Sequence, residues 1–219
     1  MNDTMNTVRQ AHRYVVAYQR RILDAVAALH DQIGPDGLGF QPDGWEPLHY
    51  GYPAKGVFAP KRWAWDFVPM YAARFYWLHQ GRKENAAGTT AFMVDHVVDT
   101  AFEPVAAKKR QQEPDPLEDL APSDRSESVL RARWVHLGAP VPANLWQLSW
   151  DALVAQSFQC PLAEIWPMEP TDAPRSRARD GMTAGGHVVS VGDLDQPARF
   201  GEAFTTPVVA ALRLLHGLP

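Results

Sequence analysis

Aromatic side chains are concentrated in one stretch of this 219-residue chain, and no other feature limits its possible folds as strongly. Eleven of the 23 Phe, Trp and Tyr residues fall between positions 45 and 77. Aromatic residues favour the pleated, half-buried surface of a β-strand, and the alternation of Trp63, Trp65 and Phe67 is typical of one strand face. We therefore predict strands at about 63–68 and 71–79, divided by Pro69, because proline cannot donate to the strand ladder.

The N-terminal segment carries the clearest helical pattern. Val8, Val15, Ile22 and Leu29 recur every seven residues, and Gly34-Pro35 follows the last of them. This spacing predicts an amphipathic helix over about 6–33, which ends where glycine allows a left-handed cap and proline cannot continue the helix. Packing of the stripe on its own domain is the favoured interpretation. The same repeat also allows pairing with a second helix in trans.

Several shorter segments complete the predicted fold. Residues 89–103 fit a helix by periodicity and a strand by β-branched and aromatic content, and we favour a strand that forms a hairpin with 71–79. The runs at 129–137 and 145–154 are either two strands or a strand and a helix, and 206–216 predicts a C-terminal helix. The sequence thus predicts an α+β fold in a single domain, 1–219, with a long N-terminal helix, a central antiparallel sheet containing an aromatic-rich hairpin, and a C-terminal helix.

Two segments are predicted to be flexible loops. The first, at about 104–128, is rich in proline and carries six carboxylates between positions 111 and 128 against Arg125 alone. Such a run of like charge is usually solvated. The second, at about 167–186, combines three prolines with glycines and with arginines at alternate positions, a composition typical of a mobile connection.

Composition limits the setting and the partners of the protein. A single cysteine, Cys160, cannot form an internal disulfide, and the N-terminus lacks the pattern of a secretion signal. We therefore expect a cytoplasmic protein that neither spans nor anchors in a membrane. The net charge of −4 disfavours nucleic acid as a partner. A protein partner or self-association remains open, and no motif predicts a cofactor.

No established catalytic motif occurs in the chain. The Gly-x-Ser-x-Gly elbow, the Walker loop and the His-Glu-x-x-His helix are all missing from the sequence. Histidine and carboxylate side chains near the aromatic segment, His49, Asp66 and His79, are the candidates for an acid–base site, because imidazole transfers protons near neutral pH.

One short cluster resembles a set of metal ligands. Asp95, His96 and Asp99 would lie together on a helix, whereas on a strand His96 points to the face opposite Asp95. Because the strand is favoured here, we expect no metal site and interpret the three side chains as structural or surface groups.

The aromatic excess is the main functional signal. Trp63, Trp65, Tyr71, Tyr76 and Trp77 are ordinary core if helices cover both sheet faces, and a binding surface if some of them are exposed. The leading hypothesis is a non-enzymatic, bacterial-type accessory or protein-interaction module. The alternative is a small-molecule hydrolase with an aromatic pocket that contains His and Asp groups.

Overall fold

The computed structural model of the protein describes residues 2–47, 72–79, 87–101, 122–141, 149–194 and 197–218. Its helices are α1 (Asn2–Ile33), α2 (Trp150–Phe158), α3 (Pro197–Phe200) and α4 (Thr206–Leu215), with a π-helical turn, Gly201–Thr205, joining the last two. Its strands are β1 (Phe40–Pro47), β2 (Ala72–His79), β3 (Thr90–Val97), β4 (Val129–Leu137), β5 (Arg175–Arg179) and β6 (Met182–Ser190). Short 3₁₀ turns occupy Ser123–Arg125, Leu162–Glu164 and Val191–Leu194.

The six strands form one antiparallel sheet in the order β1-β2-β3-β4-β6-β5. Each strand is hydrogen-bonded to the next strand in sequence, except that β6 lies between β4 and β5. The aromatic-rich hairpin is the β2–β3 pair, in which Phe75 faces Val94 and Trp77 faces Phe92. The predicted α+β class, N-terminal helix, antiparallel sheet and C-terminal helix are confirmed.

Helices cover both faces of the sheet. One face, which we call the α1 face, packs in a single cluster with α1, α3 and α4, and its strand residues include Phe75, Trp77, Phe92, Leu130 and Trp134. The opposite face, the α2 face, packs with α2 and with the segment around Trp166, and its strand residues include Met93, Val135, Leu137, Met182 and Ala184. Because successive strand residues point to opposite faces, near-continuous apolar strands such as β3 supply both clusters.

The apolar stripe of α1 divides into two halves. Ile22, Val26, Leu29 and Ile33 are buried in the cluster on the α1 face, whereas residues 4–17 are all exposed. The helix ends at Ile33, where the sequence predicts, and the amide of Gly34 donates to the carbonyl of His30. The left-handed conformation expected at Gly34 is found instead at Gly39, in the turn that follows. Among the described helices, none combines the length and the apolar composition needed to cross a bilayer.

The ambiguous segments are resolved by their neighbours in the sheet. Residues 90–97 form a strand, as favoured from their β-branched content, because β2 and β4 supply hydrogen-bonding partners on both sides. Residues 129–137 form β4, and the described part of the run at 145–154 begins α2, whose first turn is capped by Ser149. The predicted strand at 63–68 and most of the loop predicted at 104–128 lie outside the described residues.

The loop prediction at 167–186 is wrong for its second half. Residues 175–179 and 182–190 form the β5–β6 hairpin, which turns at Asp180 and Gly181, both with positive φ. The arginines at 175, 177 and 179 are not loop residues but belong to an exposed edge strand. Charged side chains are common on edge strands because they discourage pairing with other chains.

Gly185 allows β5 and Trp134 to pack closely on β6. A Cβ atom at this position would lie 2.2 Å from the carbonyl oxygen of Arg175 and 2.8 Å from the Trp134 ring. We therefore expect Gly185→Ala to destabilise the protein by about 1–3 kcal/mol, since β5 must shift to relieve the overlap. Urea unfolding measures the loss.

Gly192→Ala is the matched control for that substitution. Its Cβ would meet only the Ser190 hydroxyl, at an ordinary 3.6 Å, so we expect a change within about 0.5 kcal/mol. Equal unfolding free energies for the two variants would contradict a special packing role for Gly185.

Candidate functional site

The exposed half of α1, residues 4–17, is a continuous helical surface on which no described element packs. At 1.5 Å per residue these fourteen residues extend for about 21 Å. Val8 and Val15 are 43% and 45% exposed. They lie on the same side of the helix as Ile22 and Leu29, which are buried nearer its C-terminal end. The apolar face that holds α1 on the sheet therefore continues into solvent.

The charges of this half-helix lie away from its apolar stripe. At 100° per residue, Arg9 and Arg13 are turned by about 100° or more from Val8 and Val15. Between residues 4 and 21 the helix carries four arginines and no carboxylate. Farther along, Arg20 forms an ion pair with Asp24 at 3.0 Å. This surface is thus an apolar seam, formed by Val8 and Val15, with arginines on the other sides of the helix. Such an arrangement is typical of an amphipathic docking helix.

A tyrosine–histidine pair lies where α1 meets the sheet. The Tyr18 hydroxyl is 2.8 Å from Nε2 of His96, whose imidazole is fully buried on the α1 face of β3. Burial lowers the pKa of His96 to about 4, because the surroundings disfavour the charged ring. Burial also raises the pKa of Tyr18, which in addition forms a side-chain hydrogen bond with Ser128. Both rings are therefore neutral at physiological pH.

Four charged side chains form a second cluster, on the α2 face. Asp95 is 1% exposed, and its Oδ2 accepts a hydrogen bond from Nη2 of Arg74 at 2.9 Å. Nη1 of Arg133 lies 3.0 Å from the same oxygen. Burial alone would raise the pKa of Asp95, but the charges of Arg133 and Arg74 outweigh burial and hold it below its ordinary value. Arg74 also approaches Asp151 of α2, at 3.5 Å.

The buried arginines of β4 extend this cluster toward the loop after α2. Arg131 donates from Nε and Nη2 to the carbonyl oxygen of Met168, at 3.2 and 2.9 Å. The Arg133 guanidinium lies 5.3 Å from the centre of the Trp166 ring, within cation–π range. These contacts pair charged strand residues with the segment that covers them, so we interpret the cluster as a structural element of the α2 face.

Three histidines meet at the other end of the α1 face. The rings of His79 and His216 stack with centroids 4.2 Å apart, and the His136 ring lies 5.6 Å from His216. The Thr90 hydroxyl is 2.9 Å from His136 and 3.1 Å from His216. This cluster joins the C-terminal end of α4 to β2, β3 and β4. Within the described ranges, no group of three His, Cys, Asp or Glu side chains has the geometry to hold a metal ion.

Some of the candidate site residues from the sequence are described by the structure, and these lie in different parts of the fold. His79 belongs to the histidine cluster, whereas His49, Asp66, Trp63, Trp65 and Tyr71 lie outside the described residues. Trp77 is 4% exposed and donates from Nε1 to His30, so it is part of the core on the α1 face. Tyr76 is half-buried against the cluster on the α2 face.

The three residues that resembled metal ligands, Asp95, His96 and Asp99, do not lie together. Asp95 points to the α2 face and His96 to the α1 face, as a strand requires. Asp99 lies beyond the end of β3, where its carboxylate accepts a hydrogen bond from the amide of Ala101 at 2.8 Å.

Sequence reasoning missed the partners of Asp95 and His96. Arg131 and Arg133 occupy alternate positions of a mostly apolar strand, and this pattern indicates two buried charges that need a carboxylate nearby. Tyr18 gave no such signal, because a tyrosine in a helical stripe is compatible with ordinary packing.

The fold and these surfaces define an α+β protein with a long N-terminal helix, half of which is packed and half exposed. A family model described as PM0109 matches residues 1–159, and the chain belongs to that family. The match includes α1, the four strands β1 to β4, and α2. No curated protein and no solved structure shows significant similarity to the chain.

Proposed function

We propose that this protein is a non-enzymatic interaction module that binds another protein chain through the exposed half of α1. The single observation that carries the proposal is the exposure of Val8 and Val15 in register with the buried Ile22 and Leu29. A helix face this apolar costs free energy in water, which docking recovers by burying it.

The occupant that best matches this seam is the same seam of a second copy. In an antiparallel pair centred near Ala11, Val8 of one helix meets Val15 of the other, and the small Ala11 side chain allows close approach. Arg9 and Arg13 then point away from the contact, so that like charges do not meet. Isologous pairing of this kind is the commonest arrangement of soluble oligomers.

A pair of neighbouring valines provides the test. Val15→Glu places a charge in the seam, and we expect it to raise the dissociation constant of the dimer at least about tenfold, because a carboxylate cannot be buried there without a partner. Val16→Glu is the matched control, since Val16 is 69% exposed and lies about 100° from Val15 around the helix. Sedimentation equilibrium measures both constants.

Two outcomes would overturn self-pairing. One is a wild-type protein that remains monomeric up to about 1 mM, the range of the weakest specific associations. The other is equal weakening by Val15→Glu and Val16→Glu. Circular dichroism of both variants guards against a folding effect, although neither site packs on the sheet.

The alternative from the sequence, a small-molecule hydrolase with an aromatic His/Asp pocket, stays a prediction. We also propose a reducing, cytoplasmic setting, which the single half-buried cysteine, Cys160, supports because it forms no disulfide.

A further inference from the structure

A cavity of about 470 Å³ lies between α1 and the turn that follows β6. Its volume falls within the range of small-molecule sites, about 300–1,000 Å³. Most of its wall is apolar and comes from Ile22, Ala25, Ala28, Val191 and Phe200. The space exists because α1 presents alanines at 25 and 28, where larger side chains would fill it.

Hydroxyl groups and two charged side chains supply the polar part of the wall. Tyr18 and Ser128 line the cavity, and both already take part in the hydrogen bonds around His96 and Val98. Arg21 and Asp24 also line it, but Asp24 is ion-paired with Arg20 at 3.0 Å. Arg21 forms no ion pair with any residue that the structure describes. Among the described residues, the cavity therefore offers a largely apolar wall and one positive charge, Arg21, without an ion-pair partner.

We infer that this cavity binds a small amphipathic carboxylate, with its apolar chain against Ile22, Ala25 and Phe200 and its carboxylate at Arg21. An apolar body fits the wall, since burying it removes apolar area from water on both sides. The anionic head fits Arg21 because a guanidinium binds a carboxylate with two parallel hydrogen bonds. This site goes beyond the proposed docking function and uses other side chains than Val8 and Val15.

Decanoate and its neutral counterpart decan-1-ol are the probes that test the site. We expect decanoate to bind the wild-type protein saturably with one-to-one stoichiometry in isothermal titration calorimetry. Arg21→Gln should weaken decanoate about tenfold and change decan-1-ol by less than about twofold, because only the carboxylate uses the charge. Arg13→Gln, on the exposed part of the same helix, is the control and should leave both probes unchanged.

A second variant tests the apolar wall. Ala28 is exposed, so Ala28→Leu is compatible with folding while its side chain occupies part of the cavity, and we expect both probes to weaken about tenfold. Binding that Ala28→Leu leaves unchanged would overturn the location of the site. Equal loss of both probes in Arg21→Gln would overturn the assignment of the carboxylate. Wild-type protein that binds neither probe would overturn the inference as a whole.

Discussion

Replacing Asp95 with asparagine should lower the free energy of unfolding by about 3–5 kcal/mol, the loss typical of removing one partner of a buried ion pair. Asparagine keeps the shape of the side chain and removes its charge. Arg133 and Arg74 would then remain buried on the α2 face beside a neutral group, with side chains only 9% and 12% exposed. Urea unfolding at neutral pH, followed by tryptophan fluorescence, measures the change.

Asp99→Asn is the matched control for that experiment. Asp99 accepts a hydrogen bond from Ala101, which asparagine preserves, so we expect a change within about 0.5 kcal/mol. A double-mutant cycle with Arg133→Met should give a coupling energy of about 1–3 kcal/mol between Asp95 and Arg133. No coupling, or a stability of Asp95→Asn close to that of the wild type, would show that the cluster does not hold the α2 face together.

Acidification from pH 6.5 to pH 4 should destabilise the protein through His96. In the unfolded chain this imidazole takes up a proton near its ordinary pKa of 6.5, whereas in the folded protein its pKa is about 4. Between these values the unfolded state binds more protons, so stability is complete above pH 6.5 and falls as the pH is lowered. The slope approaches about 1.4 kcal/mol per pH unit, which amounts to about 3 kcal/mol over the interval.

The slope of stability against pH, rather than stability itself, identifies His96 as the cause. We expect His96→Gln to lose most of this slope, even if its stability at pH 7 changes. A smaller slope should remain because burial also lowers the pKa of His187, which is packed between Thr171 and Ala203. His12→Gln, in the exposed half of α1, should keep the wild-type slope. An unchanged slope in His96→Gln would contradict the assignment.

The acid response of Asp95 falls in a different range and does not obscure that of His96. The pKa of Asp95 is lowered in the folded protein, so its contribution to stability is lost only as the pH falls below the ordinary carboxylate range, about 4. Unfolding curves at closely spaced pH values therefore separate the two groups.

Local patterns determine some of the helices and strands of this fold. The seven-residue repeat and Gly34-Pro35 predict α1 and its end, and the β-branched content of 90–97 predicts β3 over the competing helix. The loop prediction fails at 175–186 because the strands there depend on distant partners. Glycine has low intrinsic strand propensity, and β5 and β6 are strands because β4 supplies hydrogen-bonding partners to β6 across the sheet.

The sites depend on contacts between residues distant in sequence. Asp95 and His96 look like neighbouring metal ligands, yet adjacent strand positions send them to opposite faces, one to Arg133 and Arg74 and the other to Tyr18. Which arginine reaches the carboxylate follows from strand register, and no short-range pattern encodes the order β4-β6-β5.

The structure changes the interpretation of the aromatic segment from 45 to 77 as a candidate binding surface. Among its described members, Phe75 and Trp77 lie in the core and Tyr76 is half-buried, because helices cover both sheet faces, whereas Trp45 in β1 is 58% exposed. An apolar seam is also exposed on the first half of α1. By itself, the sequence determined α1, the strands β2 and β3 and the α+β class, because periodicity predicts the helix and β-branched and aromatic content predicts these strands. Only the tertiary structure decided which half of the α1 stripe is buried, which charges pair, and where a cavity remains. Those outcomes depend on how far the sheet extends beneath the helix and on which strands lie side by side.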